Sequence, residues 1–507
     1  MVYKSLLTCQ RGPVGSPYSR PYVDNPDDNP WSNWTPQRRL VAGLLVTIVL
    51  GCLARFMALG SWSLWLDESL TLADSYHSQD MNNPVGYALM GWFYQLGGER
   101  PGEYLMRVPA AVMGVVSILL TIWCFWPVVG RYASLGAGAL LAVSSWHIYW
   151  SQNARFYTLA MALSLLGSGM VLRAILGVGK RRLWMGLIVL GLAPVVHPSA
   201  AILLGSLILA LWIGRWTGAF AAFPPQPAVW RVLSFAVLLG VFLGSGWSFQ
   251  VLVDWKERQG EGTPLHLLLS SGYNITPAIA LGALVGTWVA LKRLKGPTVI
   301  PVYVCLLLSA VAVGLSFFVR VSAQYIFVLL PWICLLAALP LVLLEKAEHE
   351  ADGVPLPTRK TALCAIYLAV LALPSLVDSS LYFSVRHGDR PRWREAYRHV
   401  FENQARGDLI LGMDAPVGEY YLDPRGTDLR AWRRVGWLDS YRTRLADRWS
   451  RYPRRTWFVI QPELLADWSA EDRDDFLELL KAECELQAEF PIPYTPRSLG
   501  VEVWLRP

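Results

Sequence analysis

Long apolar runs separated by short polar breaks dominate the first three quarters of the chain. Runs close to the roughly 20 residues that a helix needs to cross a bilayer fall at 40–59, 107–128, 133–150, 157–176, 183–197, 199–214, 231–252, 275–291, 298–318, 324–344 and 361–381. This pattern predicts about 11 transmembrane helices. The fifth and sixth runs are short and separated only by Pro198, so one broken helix is an alternative. The stretch 84–97 is apolar on one face and too short to span, which predicts an interfacial helix. After residue 383 the texture changes. Strand-like runs occur at 408–413, 456–460 and 499–505, and helix-like runs at 392–404 and 470–485. Residues 1–38 are polar and Pro-rich without apolar periodicity, as in a disordered arm. No cleavage signature follows the first apolar run, so no cleaved leader is expected. The expected class is an all-α polytopic membrane protein with a small C-terminal α/β domain. Its parts are a cytoplasmic arm (1–38), a transmembrane domain (39–383) with a long first external loop (60–106), and an extracytoplasmic α/β domain (384–507).

Composition sharpens this picture. Charged residues make up 16% of the 507 and hydrophobic ones 54%, against about 25% charge in an ordinary soluble domain. A disordered chain, a coiled coil and a nucleic-acid-binding tail are excluded as whole-chain readings. The net charge of +7 reads as a topology signal, with no nucleic-acid partner. Arg38, Arg39, Arg131, Lys180, Arg181, Arg182, Arg215, Arg231, Lys292, Arg293, Lys295, Lys346, Arg359 and Lys360 fall on one side of the expected spans, and Asp67, Glu68, Asp74 and Asp80 on the other. The positive-inside rule then predicts a plasma-membrane protein with its N-terminus inside and its C-terminus outside. Residues 384–507 hold 20 of the 45 basic and 21 of the 38 acidic residues, so the membrane part is poorer in charge than the average suggests.

That scarcity makes the charges near the first external loop conspicuous. Asp67 and Glu68 stand side by side in SWSLWLDESLTL, an apolar, Trp-rich setting. Carboxylates beside lipid cost free energy unless they are paired, hydrated or used; a helix start, with the acids at its N-terminus, is the plainer account. Arg107 and Arg155 lie on the face that positive-inside sorting depletes. Each is either a structural partner of the acidic pair or a planar fork for phosphate. His197 sits in an expected span, as a packing residue or a functional one. Gln324 and Tyr325 fall at the edge of the tenth run, where polar and aromatic anchors are common. No GxGxxG, Walker, HExxH or Ser-elbow motif occurs in a fitting context, so nucleotide binding and hydrolase chemistry gain no support.

Taken in order, WLDES (65–69), NPVGYALMGWFY (83–94), YLMRVPAAVMG (104–114), SSWHIYWSQNARFYTLA (144–160) and QYIFVLLP (324–331) resemble the GT-C glycosyltransferases. The likeness is to the group of protein mannosyltransferases and lipid A aminoarabinose transferases. The resemblance implies transfer of a sugar from a polyprenyl phosphate to an envelope acceptor (lipid, glycan or protein) on the outer face. It implies Asp67 as the base, and Arg107, Arg155, Tyr157, Gln324 and Tyr325 as donor or phosphate ligands. Some members hold a divalent metal ion; Glu68 and His197 are the matching positions. The chain departs from the family pattern at Asn83-Pro84-Val85, often His-Pro-Pro; at Asn153, often Glu; and at Gln324, often Arg. The competing expectation is a non-enzymatic lipid-linked glycan transporter or assembly scaffold, for which matched broken helices would be the sign.

Overall fold

The computed structural model describes residues 36–77, 83–97, 101–177, 180–221, 225, 227–343, 345, 358–422, 434–438, 455–495 and 498–507. Most of the arm expected at 1–38 lies outside them. The helices are α1 (Pro36–Phe56), α2 (Leu66–His77), α3 (Pro84–Gln95), α4 (Glu103–Val129), α5 (Arg131–Val143), α6 (Ser145–Ser151), α7 (Tyr157–Ile175), α8 (Lys180–Val196), α9 (Ala200–Trp216), α10 (Pro227–Gln259), α11 (Pro264–Asn274), α12 (Pro277–Arg293), α13 (Ile300–Leu315), α14 (Leu330–Ala338) and α15 (Thr358–Ser384). Among the described residues, five helical stretches are long and apolar enough to cross a membrane: Glu103–Val129, Tyr157–Ile175, Gly296–Leu315, Ala323–Leu341 and Ala362–Ser384. A sixth forms if α11 and α12, bent by 101°, make one span. These are the helices of a multi-pass membrane protein.

One expected span is broken, and two others stay separate as expected. The run 133–150 is interrupted at Ser144, whose backbone is extended and whose hydroxyl caps α6 by accepting from His147 N at 3.4 Å. Arg55, buried at the end of α1, donates to the carbonyls of Leu141 (3.0 Å) and Ala142 at the end of α5. A cation at a helix C-terminus suits the helix dipole and uses otherwise unpaired carbonyls. The runs 183–197 and 199–214 form the separate helices α8 and α9, divided at His197–Ser199. α3 has the two-sided character expected at an interface. It buries Tyr87, Met90 and Tyr94 and exposes Leu89 and Trp92.

The C-terminal part is a five-stranded sheet with helices on both faces. Its strands are β1 (Leu409–Gly412), β2 (Gly436–Trp437), β3 (Thr456–Ile460), β4 (Glu485–Phe490) and β5 (Val501–Arg506), in the order β2-β1-β3-β5-β4. β1 pairs parallel with β2 and β3, whereas β3–β5 and β5–β4 are antiparallel. Every residue of β3 is buried, as a central strand covered on both faces requires. Trp393, Tyr397 and Val400 of α16 (Trp393–Asn403) pack on one face with Trp457 and Val459. Phe476 and Leu480 of α18 (Ala470–Glu483) pack on the other with Phe458 and Ile460. Between them α17 (Ala415–Leu422) follows β1 and reaches back to the helical part. The expected helix 470–485 ends two residues early, and β4 then runs along the sheet edge in a polar sequence, ELQAEF.

Candidate functional site

The segment Leu59–Leu66, between α1 and α2, is gripped from two sides. From α4, Arg107 donates to the carbonyls of Leu59 (3.0 Å), Trp62 (3.0 Å) and Ser63 (2.9 Å). From α16, Arg394 donates to those of Gly60 (3.1 Å), Ser61 (3.2 Å) and Trp62 (3.0 Å), and to Glu103 at 2.8 and 3.1 Å. Tyr421 of α17 accepts from Leu64 N at 2.8 Å and donates to Glu103 at 3.1 Å. The Trp62 ring lies against Gly388, where a Cβ would fall 2.6 Å from it. With φ of +65° as well, that position tolerates only glycine.

The segment Gln152–Arg155 fastens the same region from below, one residue at a time. The Gln152 amide donates to Ala54, Arg55 and Met57 carbonyls (2.7–3.3 Å), capping the end of α1. Asn153 accepts from the Trp65 indole at 3.2 Å. Ala154 N donates to Glu68 at 2.8 Å. Arg155 reaches Thr71 at 2.8 Å and lies 4.0 Å from the Asp67 carboxylate.

Asp67 and Glu68 both stand in the first turn of α2, as a helix-start reading expects, but they face different surroundings. Glu68 is fully buried and takes a two-pronged contact from Arg107 at 2.7 and 2.8 Å, with Arg390 3.5 Å away. Burial works to raise its pKa; Arg107 and then Arg390 outweigh that and hold it below the usual value. Arg107 uses all its N–H groups on Glu68 and the three carbonyls. No donor of Arg107 is left for a phosphate; it takes the role of partner to the acidic pair, one of the two the sequence left open, and not the phosphate role that the resemblance implied. The metal expectation at Glu68 and His197 also lacks support in the donor set. Glu68 oxygens are already engaged, His197 Nδ1 is bonded to Ser199 at 2.7 Å, and no group of three or more potential metal ligands occurs among the described residues.

Asp67 instead opens, with a third of its side chain exposed, onto a cavity of about 750 Å³. Gln324 lines the same cavity, with Trp65, Trp146, Tyr149, Trp150 and Tyr382. Behind Asp67, Arg155 is mostly buried and its Nε has no hydrogen-bond partner among the described residues. Burial works against its charge, and Asp67 together with Tyr157 and Tyr87 outweighs that and raises its pKa. A run of rings continues from Arg155: Tyr157 lies 4.4 Å from His197, His197 6.3 Å from Tyr325, and Tyr325 4.6 Å from Trp255. Six of the eight positions singled out in the sequence therefore share one neighbourhood, with Arg107 and Glu68 forming the lock beside it.

Several residues of this region carried no signal in the sequence. Arg390 is fully buried and bonds Gln152 O at 2.7 Å and Tyr382 at 3.2 Å. Asp414, at the start of α17, lines the cavity from the sheet side with Gln461, Leu464, Thr495 and Leu499. Burial, and then Asp67, push its carboxyl up to about 7. Arg386 is held between Asp378 (2.8 Å) and Asp389 (3.2 Å).

No family model matches the chain, and no curated protein matches it. Solved structures do. ArnT from Cupriavidus metallidurans, bound to undecaprenyl phosphate, is 14% identical with a TM-score of 0.56, over 93% of this chain and 98% of that one. The fold is GT-C. The archaeal oligosaccharyltransferase AglB from Archaeoglobus fulgidus, in complex with an inhibitory peptide and a dolichol-phosphate, gives 12% identity and a TM-score of 0.57, over 92% of this chain and 74% of that one. At such identities the likeness is one of fold. The shared fold takes in the helical part and the C-terminal sheet together, since nearly the whole chain is matched.

Proposed function

We propose that this chain is a membrane glycosyltransferase that moves a sugar from a polyprenyl-phosphate donor to an envelope acceptor. In this reading the N-terminus is cytoplasmic and the site lies on the outer face of the plasma membrane. One observation carries it: Asp67 opens onto an aromatic-lined cavity beside Arg155, a buried guanidinium with an unfilled donor. The two supply what such a transfer needs, a base and an anion ligand. Asp67 takes the proton of an acceptor hydroxyl while that oxygen bonds to the anomeric carbon from the face opposite the phosphate. The anomeric C–O bond breaks, its electrons stay on the phosphate oxygen, and configuration inverts. Arg155 meets the charge of the departing phosphate, with Tyr157, Gln324 and Tyr325 alongside. Glu68, Arg107 and Arg390 act through Asp67 by fixing the turn that carries it. No step is routed through a metal.

A carrier without transfer activity would call for matched helix breaks. The breaks at His197–Ser199 and between α11 and α12 both border this one neighbourhood, which favours a single site. The test is Asp67→Asn in the full chain, reconstituted in liposomes with a panel of radiolabelled polyprenyl-phosphate sugars and envelope extracts. Transfer should fall about 10²–10⁴-fold while polyprenyl-phosphate binding persists. A variant that transfers at the wild-type rate overturns the assignment.

A further inference from the structure

We propose that Asp414 is the acceptor-side carboxylate of the cavity, and that the acceptor it binds is an uncharged, hydroxyl-rich carbohydrate. The inference rests on the glycosyltransferase reading and adds the acceptor class to it. Asp414 is 8% exposed and lines the same cavity as Asp67, at the start of the helix that follows β1. Its backbone carbonyl starts α17 by accepting from Val417 (2.9 Å) and Gly418 (3.2 Å). Its carboxylate receives no hydrogen bond from any described residue. A buried carboxylate without a partner costs free energy, and a hydroxyl-bearing ligand would supply the missing donors.

The rest of the lining selects the kind of ligand. Four carboxylates face the cavity, Asp67, Asp378, Asp389 and Asp414, against one guanidinium, Arg386. That guanidinium is already neutralised by Asp378 and Asp389, and His266 is bonded to Ser322 at 3.0 Å. A phosphorylated or carboxylated acceptor would therefore meet like charge, because the remaining guanidinium beside the cavity, Arg155, is the one that the donor phosphate would occupy. Trp65, Tyr149 and Tyr382 offer flat apolar faces, and Ser322, Gln461 and Thr495 offer neutral hydrogen-bonding groups. Apolar planes with a few polar groups are the recognition chemistry of a sugar ring. Asp414 would accept from hydroxyls neighbouring the one that Asp67 deprotonates.

The experiment uses the full chain in nanodiscs and follows tryptophan fluorescence and saturation-transfer NMR. The probes are uncharged gluco-, manno-, galacto- and arabino-oligosaccharides, their phosphate monoesters, a Ser/Thr peptide and a lysine-rich peptide. At least one uncharged saccharide should bind saturably, and its phosphate monoester about tenfold more weakly. Asp414→Ala should weaken that saccharide about tenfold and leave polyprenyl-phosphate binding within about twofold. Asp414→Asn should melt no lower than wild type, because it removes a buried, unpartnered charge; a purely structural role would lower the melt. The proposal is overturned if no uncharged saccharide binds up to about 50 mM, if a phosphorylated probe or a peptide binds better, or if Asp414→Ala binds as wild type does. If the wild-type chain fails to bind polyprenyl phosphate, the glycosyltransferase reading falls and takes this proposal with it. A saccharide failure with lipid binding intact overturns this proposal alone.

Discussion

On one side of the first turn of α2, Glu68 is sealed against Arg107, Arg390 and the Ala154 amide with no solvent exposure. On the other side Asp67 keeps a third of its side chain exposed and stands 4.0 Å from an arginine that retains an unfilled donor. The chemistry of the two carboxylates is nearly the same; their surroundings divide the work. The sealed pair contributes little net stability, because desolvating two charges offsets most of their attraction. What it fixes is position: Arg107 also holds the carbonyls of Leu59, Trp62 and Ser63, so the turn that carries Asp67 cannot drift. Unfilled hydrogen-bonding capacity is left to the other side.

The largest effect should come from opening the sealed side. Arg107→Ala leaves Glu68 buried and uncompensated, and should cost about 3–5 kcal/mol in a thermal melt of the purified chain. A loss below about 1 kcal/mol would mean that the two sides do not differ as described. Arg155→Ala tests the open side. It should melt nearly as wild type but lose about 1.5–3 kcal/mol of polyprenyl-phosphate affinity, the worth of a charged hydrogen bond, measured by lipid competition. Equal lipid affinity in the two proteins would remove Arg155 from the site. Arg394→Ala loosens the loop from the sheet side, where the guanidinium is a quarter exposed, and should cost about 1–2 kcal/mol.

The smallest effect is a difference in pH slope. The folded pKa of Glu68 is lowered from 4.5 by Arg107 and Arg390 against the effect of burial. Its contribution is thus fully present above about pH 4.5 and is lost as pH falls through the folded value. Asp414 has the opposite sign. Burial and then Asp67 raise it from 3.8 to about 7, so the folded chain binds its proton more tightly and stability falls as pH rises through that window. Melting curves against pH should lose the acid-side slope in Glu68→Gln and the slope between about pH 4 and 7 in Asp414→Asn. Curves parallel to wild type in both variants would contradict the opposed surroundings of these groups.

Elements bounded by clear changes of texture were legible in the chain. The run 157–176 becomes Tyr157–Ile175, and the strand at 456–460 agrees to the residue. The break at Ser144 was hidden because apolar residues continue through it, and only a capping hydroxyl marks the change. β4 was not read as a strand because an edge strand in contact with water can be polar throughout. Within the site, Asp67 and Arg155 stood out because charge is rare in an apolar chain, whereas the roles of Tyr157, Gln324 and Tyr325 came only from the family resemblance. Arg390 and Asp414 did not stand out, since they lie in a charge-rich domain where 20 basic and 21 acidic residues compete for notice. Nor could sequence separate Arg107 from Arg155. Both precede or follow an apolar run in the same way, and only the partners waiting at each position assign one to the lock and the other to the open side.

The loop that carries the site is fastened last by Arg390 and Arg394, which follow the final apolar helix in the chain. A ribosome thus inserts every apolar helix before it makes the residues that complete the loop, and Asp414 emerges later still. A chain that stops between Ser384 and Arg390 keeps the helices and Asp67 but lacks the clamp and Asp414. Stop codons placed between Ser384 and Arg390 should behave as complete losses, as severe as early ones. The same order keeps a nascent chain from exposing a finished site while its own synthesis is under way.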